Sequence, residues 1–306
     1  MNQKKIIVIG STNMDMVVKT THIPVPGETV LGGSFFMNPG GKGANQAVAV
    51  ARLGGDVTFV SKMGNDVFGK QSFQLLDEEG IDTNYVVSDD ELPSGVALIT
   101  VDDSGENSIV VAPGANANLI PADIERVLNE IEPTIVLLQL EIPMSTVEYV
   151  VRYAMEKKIL VILNPAPAAR LSDDLLQHID IITPNESEAS ILSGIQVTDL
   201  ESAKKAATVI HQLGVKSVII TLGPLGALIL ENGQFHIVPA KMVETVDTTA
   251  AGDVFNGGLA VALAEGKNTI DAVSFACEAA AFSVTRLGAQ SSIPYRNELI
   301  AHKLTS

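Results

Sequence analysis

The residues from Val246 to Gly258 read Val-Asp-Thr-Thr-Ala-Ala-Gly-Asp-Val-Phe-Asn-Gly-Gly, and their types and spacing could do chemistry. Asp247, Thr248 and Thr249 are helix-capping types. The small Ala250, Ala251 and Gly252 follow, and then apolar residues at helical spacing, Val254, Phe255, Leu259, Val261 and Leu263. Small residues leave the first helical turn bare. Its unpaired N–H groups and the positive end of the helix dipole make an anion site. Asp253 alone is an ordinary stabilising acid in a first turn. Beside a phosphate-sized anion, the same carboxylate can take the proton of an attacking hydroxyl, as phosphoryl transfer requires.

Other polar residues follow short apolar runs. Ile6 to Ile9 and the breaker Gly10-Ser11 read as a buried parallel strand, with Asn13 and Asp15 just beyond. Such positions either build turns or bind ligands at the carboxyl rim of an open α/β sheet. Glu141 follows Leu137 to Leu140, Asn164 follows Val161 to Leu163, Asn185 to Glu188 follow Ile181 to Pro184, and Leu222 to Gly226 follow Ile219 to Thr221. Each could be a plain helix cap. Four of them converging with Asp15 and the 247–253 loop favour a shared cleft. Gly40-Gly41-Lys42-Gly43-Ala44-Asn45 opens a helix. Its glycine spacing is wrong for a Walker A loop, and no Ser or Thr follows the lysine. Glycines at a helix start let backbone approach a ligand, and Lys42 and Asn45 can hydrogen-bond hydroxyls; a simple turn with a solvated lysine explains them equally.

The elements that must position these residues alternate. Strands are expected at 57–60, 135–140, 159–163, 179–182 and 218–222, and helices at 67–79, 121–131, 143–157, 200–213, 250–265 and 270–286, with a last helix from Pro294. Such alternation implies right-handed crossovers and a doubly wound, mostly parallel sheet flanked by helices. Two pieces break the pattern. Val17-Val18, Val30-Leu31 and Phe35-Phe36 lie among Pro and Gly, and 95–113 reads as a hairpin. Paired, they would form a small separate sheet, usable as a lid or a dimer surface.

The 306 residues are 46% hydrophobic, enough for a large core, and the net charge of -16 disfavours nucleic-acid partners. Cys277 is the only cysteine, which excludes an intrachain disulfide and fits a reducing, cytoplasmic setting. His22, His178, His211, His236 and His302 show no zinc spacing, and the apolar run after Met1 to Lys5 is too short for a signal peptide or a membrane span.

Together these motifs resemble the ribokinase family, also called the PfkB family of carbohydrate kinases, over essentially the whole chain. Gly40 to Ala47 is similar to its first signature, Asp247 to Asp253 to its second, and Asn185 to Glu188 to its Asn-x-x-Glu element. Asn13-Met14-Asp15 and Asn164 to Ala168 resemble the ribose-specific branch. The resemblance implies one ribokinase-like α/β unit over 1–306, with a lid from about 14–39 and 94–113. It implies ATP-dependent phosphorylation of D-ribose at the 5-hydroxyl, with Asp253 as general base and the amides of 250–253 as anion hole. Asn13, Met14, Asp15, Gly40, Gly41, Lys42, Gly43, Asn45 and Glu141 would surround the sugar. Asn185, Thr221, Leu222, Gly223, Pro224, Leu225, Gly226, Ala250, Ala251, Gly252 and Cys277 would face ATP, although Cys277 by itself reads as a small buried hydrophobe. Glu188 would organise magnesium (Mg2+) through water, and Asp247, Thr249, Ser283, Arg286, Gly288 and Ser292 match a potassium (K+) site, several through carbonyls.

Two departures stand out. Ala250 occupies a position usually held by Gly in the wider family, and Pro224 removes an N–H from the nucleotide loop. Three other readings compete: a relative acting on deoxyribose, fructose or adenosine, a non-catalytic sugar sensor, and a dinucleotide oxidoreductase. The sensor would need neither Asp253 nor the bare helix start. The oxidoreductase would want Gly-x-Gly-x-x-Gly where Gly10-Ser11-Thr12-Asn13 stands. A homodimer through the lid is expected from the apolar strands Val96 to Val101 and Ile109 to Val111.

Overall fold

The computed structural model describes residues 4–305. The lead-in Met1 to Gln3 and the side chain of His302 lie outside what is described. The chain opens with β1 (Lys5–Ile9), β2 (Asn13–Lys19), β3 (Ser34–Gly40), α1 (Lys42–Arg52), β4 (Asp56–Gly64), α2 (Val67–Glu78) and β5 (Asp82–Asp89). The hairpin β6 (Gly95–Val101) and β7 (Asn107–Ala112) follows, then α3 (Pro121–Glu130), β8 (Ile135–Leu138), α4 (Met144–Lys157), β9 (Leu160–Leu163), α5 (Asp173–Leu176) and β10 (Ile181–Ile182). The remainder is α6 (Glu186–Ser193), α7 (Leu200–Gln212), β11 (Ser217–Thr221), β12 (Ala227–Glu231), β13 (Gln234–Val238), α8 (Ala251–Ala264), α9 (Thr269–Ser283) and α10 (Arg296–Thr305).

The main sheet has nine strands in the order β13-β12-β11-β10-β9-β8-β1-β4-β5. It is parallel from β11 to β5, and only the β11–β12 and β12–β13 pairings are antiparallel. β1 shows why helices cover both faces. Ile6, Ile7, Val8 and Ile9 are all fully buried, so the strand has no solvent side. Ile6 and Val8 join one apolar cluster with α1, α8 and α9, while Ile7 and Ile9 join the other with α3, α4 and α7. Each such side chain contributes about 1.5–3 kcal/mol through burial.

The second sheet has four strands in the order β3-β2-β6-β7. β2 pairs antiparallel with β3 and parallel with β6, so the two non-helical pieces of the sequence do join. Only Gly10, Ser11 and Thr12 separate β1 from β2, so the first strand of the core hands the chain directly to the second sheet. Val30-Leu31 is not a strand: Gly32 and Gly33 follow at φ 100° and 103°, in the left-handed region that ends extension.

Helices α1 and α8 pack unusually close. A Cβ added at Gly257 would lie 2.5 Å from Ala49 Cβ and 3.1 Å from Val50 N. Glycine lets these backbones approach. One turn towards each helix N-terminus from that crossing stand Asn45 and Asp253.

Candidate active site

Asp253 lies in the first turn of α8, and only 5% of it is exposed. Two side chains of α1 hold its carboxylate: Asn45 Nδ2 donates to Oδ2 at 2.9 Å and Gln46 Nε2 to Oδ1 at 3.0 Å. Burial pushes the Asp253 carboxyl up from its ordinary range, while Lys42, Asn45 and Gln46 pull it down and Glu141 adds to the rise. A buried carboxylate with that balance suits proton acceptance.

The expected caps of α8 do not cap it. Asp247 instead accepts from Thr249 N and Oγ1 at 2.9 and 2.6 Å and from Gly288 N at 2.8 Å. The N-cap is Ala250, at φ 61°, a left-handed conformation that costs a residue with a Cβ about 1–2 kcal/mol. Ala251 N is taken by Thr248 O at 3.2 Å, so the expected run of four free amides is interrupted. The amides of Ala250, Gly252 and Asp253 have no partner among the described residues, and a Cβ at Gly252 would meet nothing within 4 Å. The face above this helix start is open and carries free donors.

The start of α1 is different, because the chain fills it. Glu141 Oε2 accepts from Lys42 N at 3.0 Å and from Ser11 Oγ at 2.5 Å, and Ser11 Oγ accepts from Gly43 N at 3.3 Å. Gly41 has φ 90°, and a Cβ there would sit 2.7 Å from Asn13 N. A Cβ at Gly43 would meet Gly10 C and Ser11 N at 2.5 Å, and one at Gly40 would strike the Asp15 carboxylate. The glycine cluster therefore serves tight chain packing.

Asp15, Lys42, Glu141, Glu188 and Asp253 form one electrostatic group. Burial, then Glu141 and Asp253, push Asp15 up to about 6. Burial opposes the charge on Lys42, but Asp253, Glu141, Glu188 and Asp15 together hold it above its usual value. Burial also raises Glu188, which forms a reciprocal cap with Asn185: Glu188 N donates to Asn185 Oδ1 at 2.9 Å, and Asn185 N and Nδ2 donate back at 2.9 and 3.0 Å.

Asn116 escaped the sequence reading. Its side chain accepts from Thr12 N at 2.9 Å and donates to Thr12 O at 3.0 Å and Asn13 Oδ1 at 2.8 Å, so it sets the Asn13 amide. It follows the hairpin in a stretch whose residues carry no periodic signal. Gln46, Gln139 and Asn164 were also visible only as members of motifs or strand ends.

Beyond the open end of α8 lies a cleft of about 1240 Å³, whose walls include Asn185, Thr221, Gly223, Pro224, Gly226, Ala251, Gly252 and Cys277. Three expected site residues stand elsewhere. The Leu222 side chain is buried in one of the apolar clusters at 3% exposure, Met14 is buried at 1%, and Leu225 is exposed. Burial lifts the Cys277 thiol to about 11, so it is a neutral wall residue at physiological pH. At the expected potassium positions, Val246 N and Asp247 N donate to Val284 O, which with the Asp247–Gly288 bond ties the two loops together. The Arg286 side chain turns away to Glu298, 2.6 Å distant. Ser283 and Ser292 are buried, with hydroxyls on Ala280 O and Ala289 O.

The sequence matches the pfkB family carbohydrate kinases over residues 3–296. The chain belongs to that family. The ribokinase of Haemophilus influenzae is 47% identical over 303 residues, covering 97% of this chain and 98% of its own length. The solved ribokinase of Thermotoga maritima superposes with a TM-score of 0.90 at 44% identity, covering 99% of this chain and 100% of that one. The Arabidopsis thaliana ribokinase complexed with ribose and ATP gives a TM-score of 0.90 at 35% identity and 98% coverage of both chains. The doubly wound sheet with its small second sheet is thus the family fold.

Proposed function

We propose that this chain is an ATP-dependent kinase that phosphorylates D-ribose at its 5-hydroxyl, giving ribose 5-phosphate and ADP. One observation carries the reading: Asp253 is a buried, hydrogen-bonded carboxylate in the first turn of a helix whose Gly252 and Asp253 amides are free. The relatives named above, ribokinases along their whole length, supply the substrate class.

In this reading ribose lies over Asn13, Asp15, the Gly41 to Asn45 turn and Glu141. Asn45 Oδ1 supports it, being a buried acceptor without a partner among the described residues. Asp15 accepts from sugar hydroxyls. ATP occupies the cleft beside Asn185, Thr221 and Gly223 to Gly226. Asp253 takes the proton of the 5-hydroxyl as that oxygen bonds to the γ-phosphorus and the bond to the β,γ-bridging oxygen breaks. The free amides at the start of α8 and the Lys42 ammonium stabilise charge on the transferring group.

Magnesium, when bound, would neutralise charge on the nucleotide phosphates. Both Glu188 oxygens already accept from Asn185, so this carboxylate fits a metal held through water better than direct ligation. A potassium ion fits the loops of Asp247, Thr249, Ser283, Arg286, Gly288 and Ser292 through their carbonyls, because the Asp247 carboxylate is already hydrogen-bonded and the Arg286 side chain is turned away.

The second sheet would act as lid and dimer surface. Phe35, Leu98, Ile109 and Val110 are all at least half exposed, and β7 is exposed along its length. No helix among the described residues is long and apolar enough to cross a membrane. We place the enzyme in the cytoplasm, acting on small molecules and not on nucleic acid.

The test is ATP consumption with a panel of sugars and nucleosides, with magnesium, with and without potassium. Turnover on D-ribose raised by potassium is expected. Turnover confined to another sugar would overturn the substrate, and ribose binding without turnover would make the protein a sensor.

A further inference from the structure

We infer that Gln46 is a positioning residue for phosphoryl transfer, whose side-chain amide fixes the Asp253 carboxylate in its accepting orientation. The inference rests on Asp253 being the general base. Gln46 is fully buried on α1 and does not face the cleft lining. Its Nε2 donates one hydrogen to Asp253 Oδ1 at 3.0 Å and the other to Asn164 Oδ1 at 3.1 Å. Its Oε1 accepts from Gln139 Nε2 at 2.5 Å. Three neighbours therefore fix the sense of this amide. Rotating it by half a turn would set its oxygen against two acceptors and its nitrogen against a donor.

A core-filling role does not account for this arrangement. An apolar side chain of the same size would fill the space without burying an amide. The chain also leaves Gln139 Oε1 buried without a partner, wedged where a Cβ on Gly10 would stand 2.0 Å away. An orphan acceptor costs free energy, and what it maintains is a donor aimed at Gln46. Asn45 and Gln46 then divide the work. Asn45 holds Oδ2 and keeps its own oxygen free for a ligand, whereas Gln46 holds Oδ1 from behind and touches no substrate.

The charges around Asp253 make the second donor necessary. Lys42 at the start of α1 favours the carboxylate. Glu141 beyond β8, Asp15 on β2 and Glu188 on α6 oppose it, as does burial. Losing one amide donor weakens the ionised form in a setting that already disfavours it.

The experiment is the pH dependence of kcat at saturating ribose and ATP for the unaltered enzyme, Gln46→Met, Gln139→Met and Asp253→Asn, with ribose Kd by calorimetry. Saturation matters because kcat reports groups in the complex and so separates Asp253 from sugar-binding Asp15. For Gln46→Met the acid limb should move up by about one pH unit, and the plateau should fall about 10- to 100-fold, with ribose Kd little changed. Gln139→Met, which never touches Asp253, should shift the same limb by less in the same direction. An unmoved limb in Gln46→Met, whatever its stability, overturns the inference. If that variant does not fold, an unmoved limb in Gln139→Met does so. Near-normal turnover in Asp253→Asn would remove the base assignment and this inference with it. An inactive Asp253→Asn beside unmoved limbs in both amide variants would remove only the role of Gln46.

Discussion

The proposed sugar and nucleotide sides of the site are built on opposite plans. On the proposed sugar side, Ser11, Asn13, Asn45 and Asn116 are buried and hydrogen-bonded to one another, to backbone or to the carboxylates of Glu141 and Asp253, so most of their donors and acceptors are set before any ligand arrives. On the proposed nucleotide side the cleft is wide, Asn185 and Ser187 are exposed, and the wall includes Thr221, Gly223, Pro224 and Gly226 of one turn. Buried polar groups reject an analogue that leaves them unpaired, whereas an open wall of amides and small side chains accepts a phosphate by charge and shape. On the proposed assignment, discrimination belongs to the sugar side, and the nucleotide side would be a tolerant dock for a common co-substrate.

Asp253→Asn should break the joint between the halves most severely. Turnover should fall about 10²- to 10⁴-fold while ribose still binds by calorimetry, and near-normal turnover would refute the general-base role. Gly257→Ala comes next. A methyl 2.5 Å from Ala49 Cβ forces α8 away from α1, which should cost about 1–3 kcal/mol in urea melts and carry Asp253 away from Asn45 and Gln46, lowering kcat as well. Loss of stability with kcat intact would mean that the crossing does not set the site.

The third prediction separates the halves by pH. Asp15 is raised to about 6, so below that pH it binds a proton and, in its proposed role, would stop accepting from sugar hydroxyls. Ribose affinity should be about tenfold weaker at pH 5 than its neutral value, while affinity for an ATP analogue moves less. Linkage for this group runs the other way. The folded chain holds that proton more tightly than the unfolded one, so protonation of Asp15 adds stability as pH falls from about 6 towards its ordinary 3.8. On the nucleotide side, Cys277→Ala should alter the KM for ATP by less than about threefold, since a neutral thiol in the wall contributes packing alone. A large rise would show that the cleft is less tolerant than its walls suggest. The smallest effect is at Ala250→Gly. Relief of the left-handed strain, partly offset by the flexibility glycine adds to the unfolded chain, should stabilise by up to about 1 kcal/mol in thermal melts.

The parallel core was legible because its strands are continuous apolar runs and its helices keep their period, as in Ile6 to Ile9 and α7. β5 was not, since Asp82-Thr83-Asn84 and Ser88-Asp89 bracket only three apolar or aromatic residues on an edge strand. The β12–β13 hairpin had its signal in plain view: Asn232-Gly233, now seen at φ 51° and 74°, is the two-residue turn that such hairpins favour. α6 was hidden because Asn185 to Glu188 reads equally well as a polar strand end and as the capping box it proves to be. Within the site, motif residues could be named from their order. Asn116 and Gln139 could not, because their significance lies in which distant backbone or amide they meet, and spacing along the chain does not encode that.

Asn45 and Gln46 reach Asp253 across 208 and 207 residues of sequence. A growing polypeptide that has emerged only as far as β13 can hold the buried amides of the sugar side yet has no proton acceptor to give them. Closing so long a loop is among the late events in building a parallel sheet. Phosphorylating activity should therefore rise only when the last two large helices dock, which makes turnover itself a clock for the completion of folding.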